Sequence, residues 1–330
     1  PGTLKSVKGI GWYIEEYGIA QLSLNLTDIT VTPVHIAFDE ACNKAQSRGI
    51  RVTGSELVGL LPLRVLLDAA DHYLRKQQRS LGISEAEKVK IAVKSLGLDD
   101  LAPFDPAKRV IEYVIAEEGK SALVNMTLTQ FANTTASEAP APGGGSISAY
   151  AGALGAALAT MVANLSAHKR GWDGRWEEFS VHAERGLALQ NQLMALVDAD
   201  TQAFDAIMSA YGMPKGSDDQ KAKRHQAIQA ATRNAIDIPM QVAQLAHDGL
   251  SLAAAMSSDG NPNSVTDAGV GAMCLRTAVL GAVFNARINC GDLEDTDYVA
   301  QIQSRCAELV ESATGQELDI LATVDRVLAG

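Results

Sequence analysis

One acid stands inside an apolar stripe. Leu189, Leu193, Leu196, Asp200, Phe204, Ile207 and Tyr211 follow steps of three and four, which places them on one face of a helix. A carboxyl in such company loses hydration, and desolvation raises its proton affinity from an ordinary pKa of about 3.9 toward neutrality. It can then both take and give a proton, as a general acid/base must. The other use of such a residue is structural, with the carboxylate satisfied by a backbone amide or an arginine across the fold. Asp198 lies about 200° away around the same helix. It shares a polar side with Thr201, Gln202 and Asp205, so the two acids are not a matched pair.

Two further constellations have the residue types for binding. In Ala139-Pro140-Ala141-Pro142-Gly143-Gly144-Gly145-Ser146 the prolines forbid helix and the glycines free the backbone. The small-residue run from Ile147 to Ser166 then starts a helix. Gly143, Gly144, Gly145 and Ser146 thus sit where a helix N-terminus presents unpaired N–H groups, suited to an anionic or carbonyl-rich ligand; a tight interhelical turn would use the same residues. Farther on, Asp267, Gly271, Cys274, Ala278, Gly281, Asn285 and Asn289 form one line along a helix, polar at both ends and small between. Asp267 also closes a capping-box pattern with Ser264. Asn285 and Asn289 fall mid-helix, where Asn is unfavourable, and their amides can orient a polar heterocycle or an acidic partner.

The remaining chemistry-bearing residues exclude more than they offer. Six histidines (His35, His72, His168, His182, His225, His247) show no metal-ligand spacing, and four cysteines form no CxxC pair, so no metal site is expected. The cysteines read as reduced, buried thiols of a cytoplasmic protein. A net charge of -11 argues against nucleic acid or an anionic membrane surface as partner. No uninterrupted apolar run of transmembrane length and no signal peptide are read. Lys169, Arg170 and Arg175, and near the N-terminus Lys5 and Lys8, are either solvated faces or holders of substrate carboxylates.

The elements that must position these residues fall into two parts. With 47% hydrophobic and 5% aromatic residues over 330 positions, the cores must be made of Ala, Leu, Val, Ile and Gly, and two domains are expected. Residues 1–118 read as α/β: alternation over Gln21 to Leu26 and the segment Arg51 to Val58 are strand candidates, with helices from Pro33, Pro62 and Ser84. Two strands make too small a sheet to stand alone. The chain also begins at Pro1 inside what reads as a loop, which implies sequence upstream. After a polar linker at 119–125, residues 126–330 read as an all-α bundle. Its helices are placed at about 126–136, 145–168, 175–212, 217–248, 264–290 and 296–328, with breaks at Gly171, Gly212-Met213-Pro214, Gly249 and Gly260-Asn261-Pro262-Asn263. The fold class is therefore α+β overall.

Several of these stretches resemble a known family. Pro142-Gly143-Gly144-Gly145-Ser146, Val197-Asp198-Ala199-Asp200 followed by Ala203-Phe204, and Phe284-Asn285-Ala286-Arg287-Ile288-Asn289 resemble the cyclodeaminase domain of formiminotransferase-cyclodeaminases. In the first part, Gly11-Trp12-Tyr13, Ala20 to Leu26, Val52 to Leu60 and Leu96 to Phe104 are similar to the C-terminal subdomain of the formiminotransferase half. That resemblance implies a ferredoxin-like half-domain at 1–118 and a complete cyclodeaminase domain after it.

The resemblance also implies an activity. It is the ammonia-lyase closure of 5-formiminotetrahydrofolate to 5,10-methenyltetrahydrofolate, a step of histidine degradation and one-carbon metabolism. Asp200 falls on the family's proton donor and acceptor. Gly143, Gly144, Gly145, Ser146, Asp267, Asn285 and Asn289 fall on its substrate site, and Lys5, Lys8 and Gly11 on a folate-binding surface. Tetrahydrofolate, as a polyglutamate, would be substrate and carrier, with no tightly bound cofactor. The partners implied are copies of the same chain in a dimer-based ring. None of the six histidines matches the family's transferase histidine, so transfer of a formimino group is not expected of these 330 residues alone. A methenyltetrahydrofolate cyclohydrolase and a non-catalytic folate-binding or oligomerisation module are the alternatives.

Overall fold

The computed structural model describes residues 2–115 and 123–329. The chain divides into two compact units, 1–118 and 119–330. The first begins with a hairpin. Strand β1 (Val7–Ile14) pairs antiparallel with β2 (Ile19–Leu26), Val7 opposite Leu26 and Ile14 opposite Ile19. Its turn ends on Gly18 at a φ of +64°, which glycine adopts without steric cost. The alternation in Gln21 to Leu26 marked β2; β1, interrupted by Gly9 and Gly11, carries no such pattern. Ile10, Tyr13 and Leu22 are all more than half exposed on this ribbon.

Helices α1 (Val34–Gln46) and α2 (Leu63–Lys76) start directly after Pro33 and Pro62, as their fixed φ favours. Helix α3 (Glu85–Ser95) starts at Ser84, whose side chain accepts from the Glu87 amide. Two short helices, α4 (Pro106–Arg109) and α5 (Ile111–Ile115), follow. The strand expected over Arg51 to Val58 is not formed. Strand propensity is realised only against a ladder partner, and among the described residues this segment has none; Ser55 donates instead to the Gly97 carbonyl at 2.9 Å. The unit's core is Leu66, Ala69, Ala70, Val89, Ala92 and Leu96. His35, at the start of α1, is buried and stacks on His72 with ring centroids 4.5 Å apart.

The second unit is helical throughout its described residues. A single 3-10 turn (Leu123–Asn125) leads into α6 (Leu128–Thr135), α7 (Gly144–Ala167), α8 (Trp176–Tyr211), α9 (Asp218–Ser258), α10 (Val265–Asn289) and α11 (Thr296–Ala329). Positions 119–122 of the expected linker lie outside the described residues, and Leu123 is buried in the helical core. The breaks before α8, α9 and α10 fall where expected. The break at Gly249 does not occur: α9 runs through it. Gly249 is a packing residue, since a Cβ there would lie 2.7 Å from Cδ2 of Leu275 on α10.

The core is built from small residues, as the composition requires. Along α7, Ala149, Ala153, Ala156, Ala159 and Ala163 are fully or nearly fully buried, in one core with Ala272, Ala278, Ala282 and Ala286 of α10. Contrary to the sequence reading, Gly144–Ala167 and Pro262–Asp292 are long and apolar enough to cross a membrane by length and composition. Of their most apolar windows, 61% and 50% are buried inside this unit. All four cysteines are free thiols; Cys290 and Cys306 are buried, Cys42 and Cys274 only partly.

Candidate functional site

The register of three helices builds one cleft. Helix α7 runs antiparallel to α8, so Gly145 meets Asp200, Gly152 meets Leu193, and Thr160 meets Gly186. It also runs antiparallel to α10, bringing Gly144 to Asn285, Ser148 to Gly281 and Gly155 to Gly271. The start of α7, the middle of α8 and the end of α10 therefore converge. A cleft of about 260 Å³ opens there, and Pro140, Ala141 and Ala235 of α9 also line it. The glycine loop, Asp200, Asn285 and Asn289, widely separated in sequence, are thus brought together.

Among the described residues, Asp200 is the only ionisable side chain lining this cleft. Its carboxyl rests on the Cα of Gly145, where any Cβ would overlap it. The start of α7 has no side-chain cap of its own. Asp200 faces that helix start from a neighbouring helix: the Ser146 hydroxyl lies 3.1 Å from Oδ2, and the nearby Ser146 backbone N–H also favours the charged carboxylate. Burial pushes the Asp200 carboxyl above the usual carboxylate range, and the Ser146 hydroxyl and backbone N–H act against that rise without cancelling it. The result is a carboxyl that can change protonation state and is open to a ligand.

The apolar stripe behaves differently on its two sides of Asp200. Leu189, Leu193 and Leu196 are buried, whereas Phe204 and Tyr211 are 44% and 48% exposed. The cause is the antiparallel register: α7 begins at the level of Asp200, and α8 continues eleven residues beyond it with no α7 to cover that face. Phe204 and Ile207 line the cleft instead of the core. Asp198 is not on a merely solvated side either. It accepts from the Leu123 amide at 2.6 Å and ties the segment before α6 to α8.

Asn289 has a reason that the sequence contains in another place. Pro239 lies inside α9, and a proline has no N–H for the carbonyl four residues earlier, which is that of Ala235. The Asn289 side-chain amide donates to this carbonyl at 2.9 Å. Asn289→Ala is accordingly expected to lower stability by about 1–3 kcal/mol, the cost of an unmet buried carbonyl. Adding Pro239→Ala, which restores an in-helix donor, should recover much of the loss. Urea unfolding of both variants checks this, and an Asn289→Ala protein as stable as the parent would overturn it. Asn285 returns its own amide to the Gly281 carbonyl at 2.8 Å and sits beside Gly144 in the cleft wall.

Other sequence-derived candidates lie elsewhere. Asp267 is in the first turn of α10, eighteen residues or about 27 Å along the helix from Asn285. Ser264 makes no side-chain cap there, so the expected capping box is absent. Ser146 is fully buried behind Asp200 and is not part of the cleft surface. Lys5, Lys8 and Gly11 belong to the first unit: the Lys5 carbonyl accepts from Thr32 Oγ1 at 2.7 Å, and Lys8 and Gly11 pair with Asn25 and Leu22 in the hairpin. At the far end of α7, Lys169 and Arg175 lie over the Trp172 ring at 3.9 and 4.9 Å, and Arg175 also pairs with Glu178. Thr201, Ala235 and Ile288 line the cleft although the sequence marked none of them as a site residue. Of these, Ala235 had a signal, the mid-helix Pro239.

Similarities to known proteins cover both units. Residues 127–308 match the family described as formiminotransferase-cyclodeaminase, and residues 1–116 match the formiminotransferase domain. The formimidoyltransferase-cyclodeaminase of Rattus norvegicus is 37% identical over 326 residues, 98% of this chain and 60% of the rat protein. The chain thus spans about 60% of the length of that relative. A methenyltetrahydrofolate cyclohydrolase of Methylorubrum extorquens is 33% identical over 200 residues, 61% of this chain and 96% of that protein. The crystal structure of formiminotetrahydrofolate cyclodeaminase from Thermotoga maritima aligns with a TM-score of 0.51 at 26% identity, covering 62% of this chain and 97% of that one. The cleft-forming residues, from Pro140 to Asn289, fall wholly within the matched span 127–308, and the preceding unit matches the domain of the same two-part family. The chain belongs to the formiminotransferase-cyclodeaminase family.

Proposed function

We propose that the cleft closes the formimino group of 5-formiminotetrahydrofolate onto N10, releasing ammonia and leaving 5,10-methenyltetrahydrofolate. The observation that carries this reading is Asp200, a half-buried carboxyl held at a helix start, beside which no other ionisable group among the described residues lines the cleft. N10 attacks the formimino carbon and a tetrahedral centre forms. A proton must leave N10 and another must reach the departing nitrogen before the carbon–nitrogen bond breaks. A single carboxyl poised between its two states can accept the first and supply the second. The glycine-lined helix start and the amide of Asn285 hold the two reacting ends together, where proximity supplies the rest of the acceleration.

Support comes from the relatives on both sides. The Thermotoga protein is titled a cyclodeaminase, and the rat protein carries the same word in its name. The Methylorubrum cyclohydrolase supports a second reading, in which water rather than an intramolecular amine meets the one-carbon unit. One assay separates them. The 330-residue chain incubated with 5-formiminotetrahydrofolate should release ammonia with the rise of methenyltetrahydrofolate absorbance; hydrolysis of added methenyltetrahydrofolate without ammonia release from the formimino substrate would favour the second. Formimino transfer from formiminoglutamate is not expected of these 330 residues, and glutamate formation from it would refute that clause. Tetrahydrofolate is the substrate and carrier in this reading, with no resident cofactor, in the cytoplasm. A homo-oligomer built from dimers is part of it, supported by Leu154 and Met161 on α7 and Val270 and Met273 on α10, which the unit leaves exposed.

A further inference from the structure

The proposed chemistry asks Asp200 to be a carboxylate at one moment and a carboxylic acid at the next, and the two forms need opposite partners. A carboxylate needs donors; the acid needs an acceptor for its own proton. Backbone N–H groups at a helix start are fixed donors and serve only the first form. Ser146 is different. Its hydroxyl rotates, donates one proton and offers lone pairs.

The geometry around Ser146 gives that proton two destinations. Oγ lies 3.1 Å from Asp200 Oδ2 and 2.9 Å from the carbonyl oxygen of Val197, with Thr201 Oγ1 at 3.5 Å. Only one of the two acceptors can be served at a time. Ser146 has no exposed surface, so bulk water does not take its place. Nor does a neighbouring charge serve the same purpose among the described residues. The first turn of α7 carries no ionisable group, Tyr150 in its second turn packs its ring against Phe131 outside the cleft lining, and α10 presents Asn285 and Asn289 to the cleft. On α9, Arg233 pairs with Asp295 and Asp237 accepts from Tyr298. On α8 itself, Asp198 accepts from Leu123 and Asp205 is exposed.

We infer that Ser146 is a positioning residue whose hydroxyl serves Asp200 in both proton states, donating to Oδ2 of the carboxylate and turning to the Val197 carbonyl to accept the proton of the acid. No heavy atom need move between the two arrangements. The carboxyl stays fixed over Gly145 while its proton comes and goes. This inference rests on the proposed role of Asp200, and it takes Ser146 out of the substrate-contacting set and into the machinery behind it.

Carbon-13 NMR of the aspartate carboxyls in the full 330-residue chain tests it without substrate. The Asp200 signal is identified by its loss in Asp200→Asn. A hydrogen bond from Ser146 favours the charged form, and charge-assisted bonds are stronger than neutral ones. Ser146→Ala is therefore expected to raise the Asp200 midpoint by about one pH unit, tenfold in proton affinity. Ser146→Cys, a weaker donor, should raise it less, and it decides the matter if Ser146→Ala fails to fold. In the ammonia-release assay the acid limb of kcat/KM should move with the midpoint. A Ser146 that only ties α7 to α8 would lower the melting temperature and leave the midpoint in place, and that result overturns the inference. If the midpoint shifts while the parent protein releases no ammonia, the folate reading fails and the Ser146 inference stands.

Discussion

Asp200→Asn is expected to cut ammonia release by about two to four orders of magnitude, the usual worth of general acid/base catalysis. The substitution is nearly isosteric, and the Asn oxygen can still accept from the Ser146 hydroxyl that now donates to the carboxylate. What it removes is the ability to exchange a proton. Folate binding should change little, because Asn285 and the helix start remain in place. Asp198→Asn gives the control. Its oxygen keeps the bond from the Leu123 amide, and the side chain does not line the cleft, so turnover should stay within a few-fold of the parent. Near-parental turnover in Asp200→Asn would end the assignment.

The same variant separates catalysis from stability through pH. Burial raises the folded-state pKa of Asp200 above its unfolded value. Such a group's contribution to stability is fully present below the unfolded pKa and is lost as pH rises through the folded one. An amide at this position does not titrate. The melting temperature of Asp200→Asn relative to the parent should therefore climb from about pH 4 upward and level off once the parent carboxyl is ionised. A relative melting temperature that falls with pH would mean that the charged carboxylate is a stabilising element and that the stripe misled about its environment.

How far the sequence carried the site depends on which physical signal each residue leaves. Asp200 was legible because a polar residue in a three-four stripe violates the pattern that surrounds it, and the glycine loop because prolines and glycines punctuate any reading. The exposure of Phe204 and Tyr211 was not legible, because a stripe says that residues share a face, not how far the partner helix extends. Asp267 shares its helix line with Asn285, but a line on a 25-residue helix reaches two ends, and only the register with α7 tells which end holds the cleft. Gly249 reads as a breaker in one dimension and as a close-packing contact in three. Arg51 to Val58 shows the same limit for strands, whose partner is not a local property. Ser146 illustrates the converse: its motif drew attention to the residue, but its burial behind the carboxyl changes what it does.

Gly145→Ala is the second large effect, and its sign depends on Asp200. Gly145 is the second residue of α7, where Ala in place of Gly would ordinarily stabilise the helix by about 0.5–1 kcal/mol. Here the new Cβ would overlap the carboxyl of Asp200, so the side chain must swing away from Ser146 or the helix start must shift. Either movement displaces the proton-transferring group by about 1 Å, enough to cost about a hundredfold in rate. Stability should fall rather than rise, because the carboxyl loses its Ser146 hydroxyl bond and the start of α7 loses the carboxylate beside it. Once Asp200 is replaced by Ala the obstacle is gone, and the same Gly145→Ala change should regain the helical benefit of about 0.5–1 kcal/mol. The cycle of parent, two single variants and the double variant should therefore show a coupling of about 1–3 kcal/mol, far above the scatter for independent sites. Urea unfolding gives the four stabilities. Additive values would mean that the carboxyl does not occupy the space above Gly145, and the geometry of the proposed catalyst would fall with it.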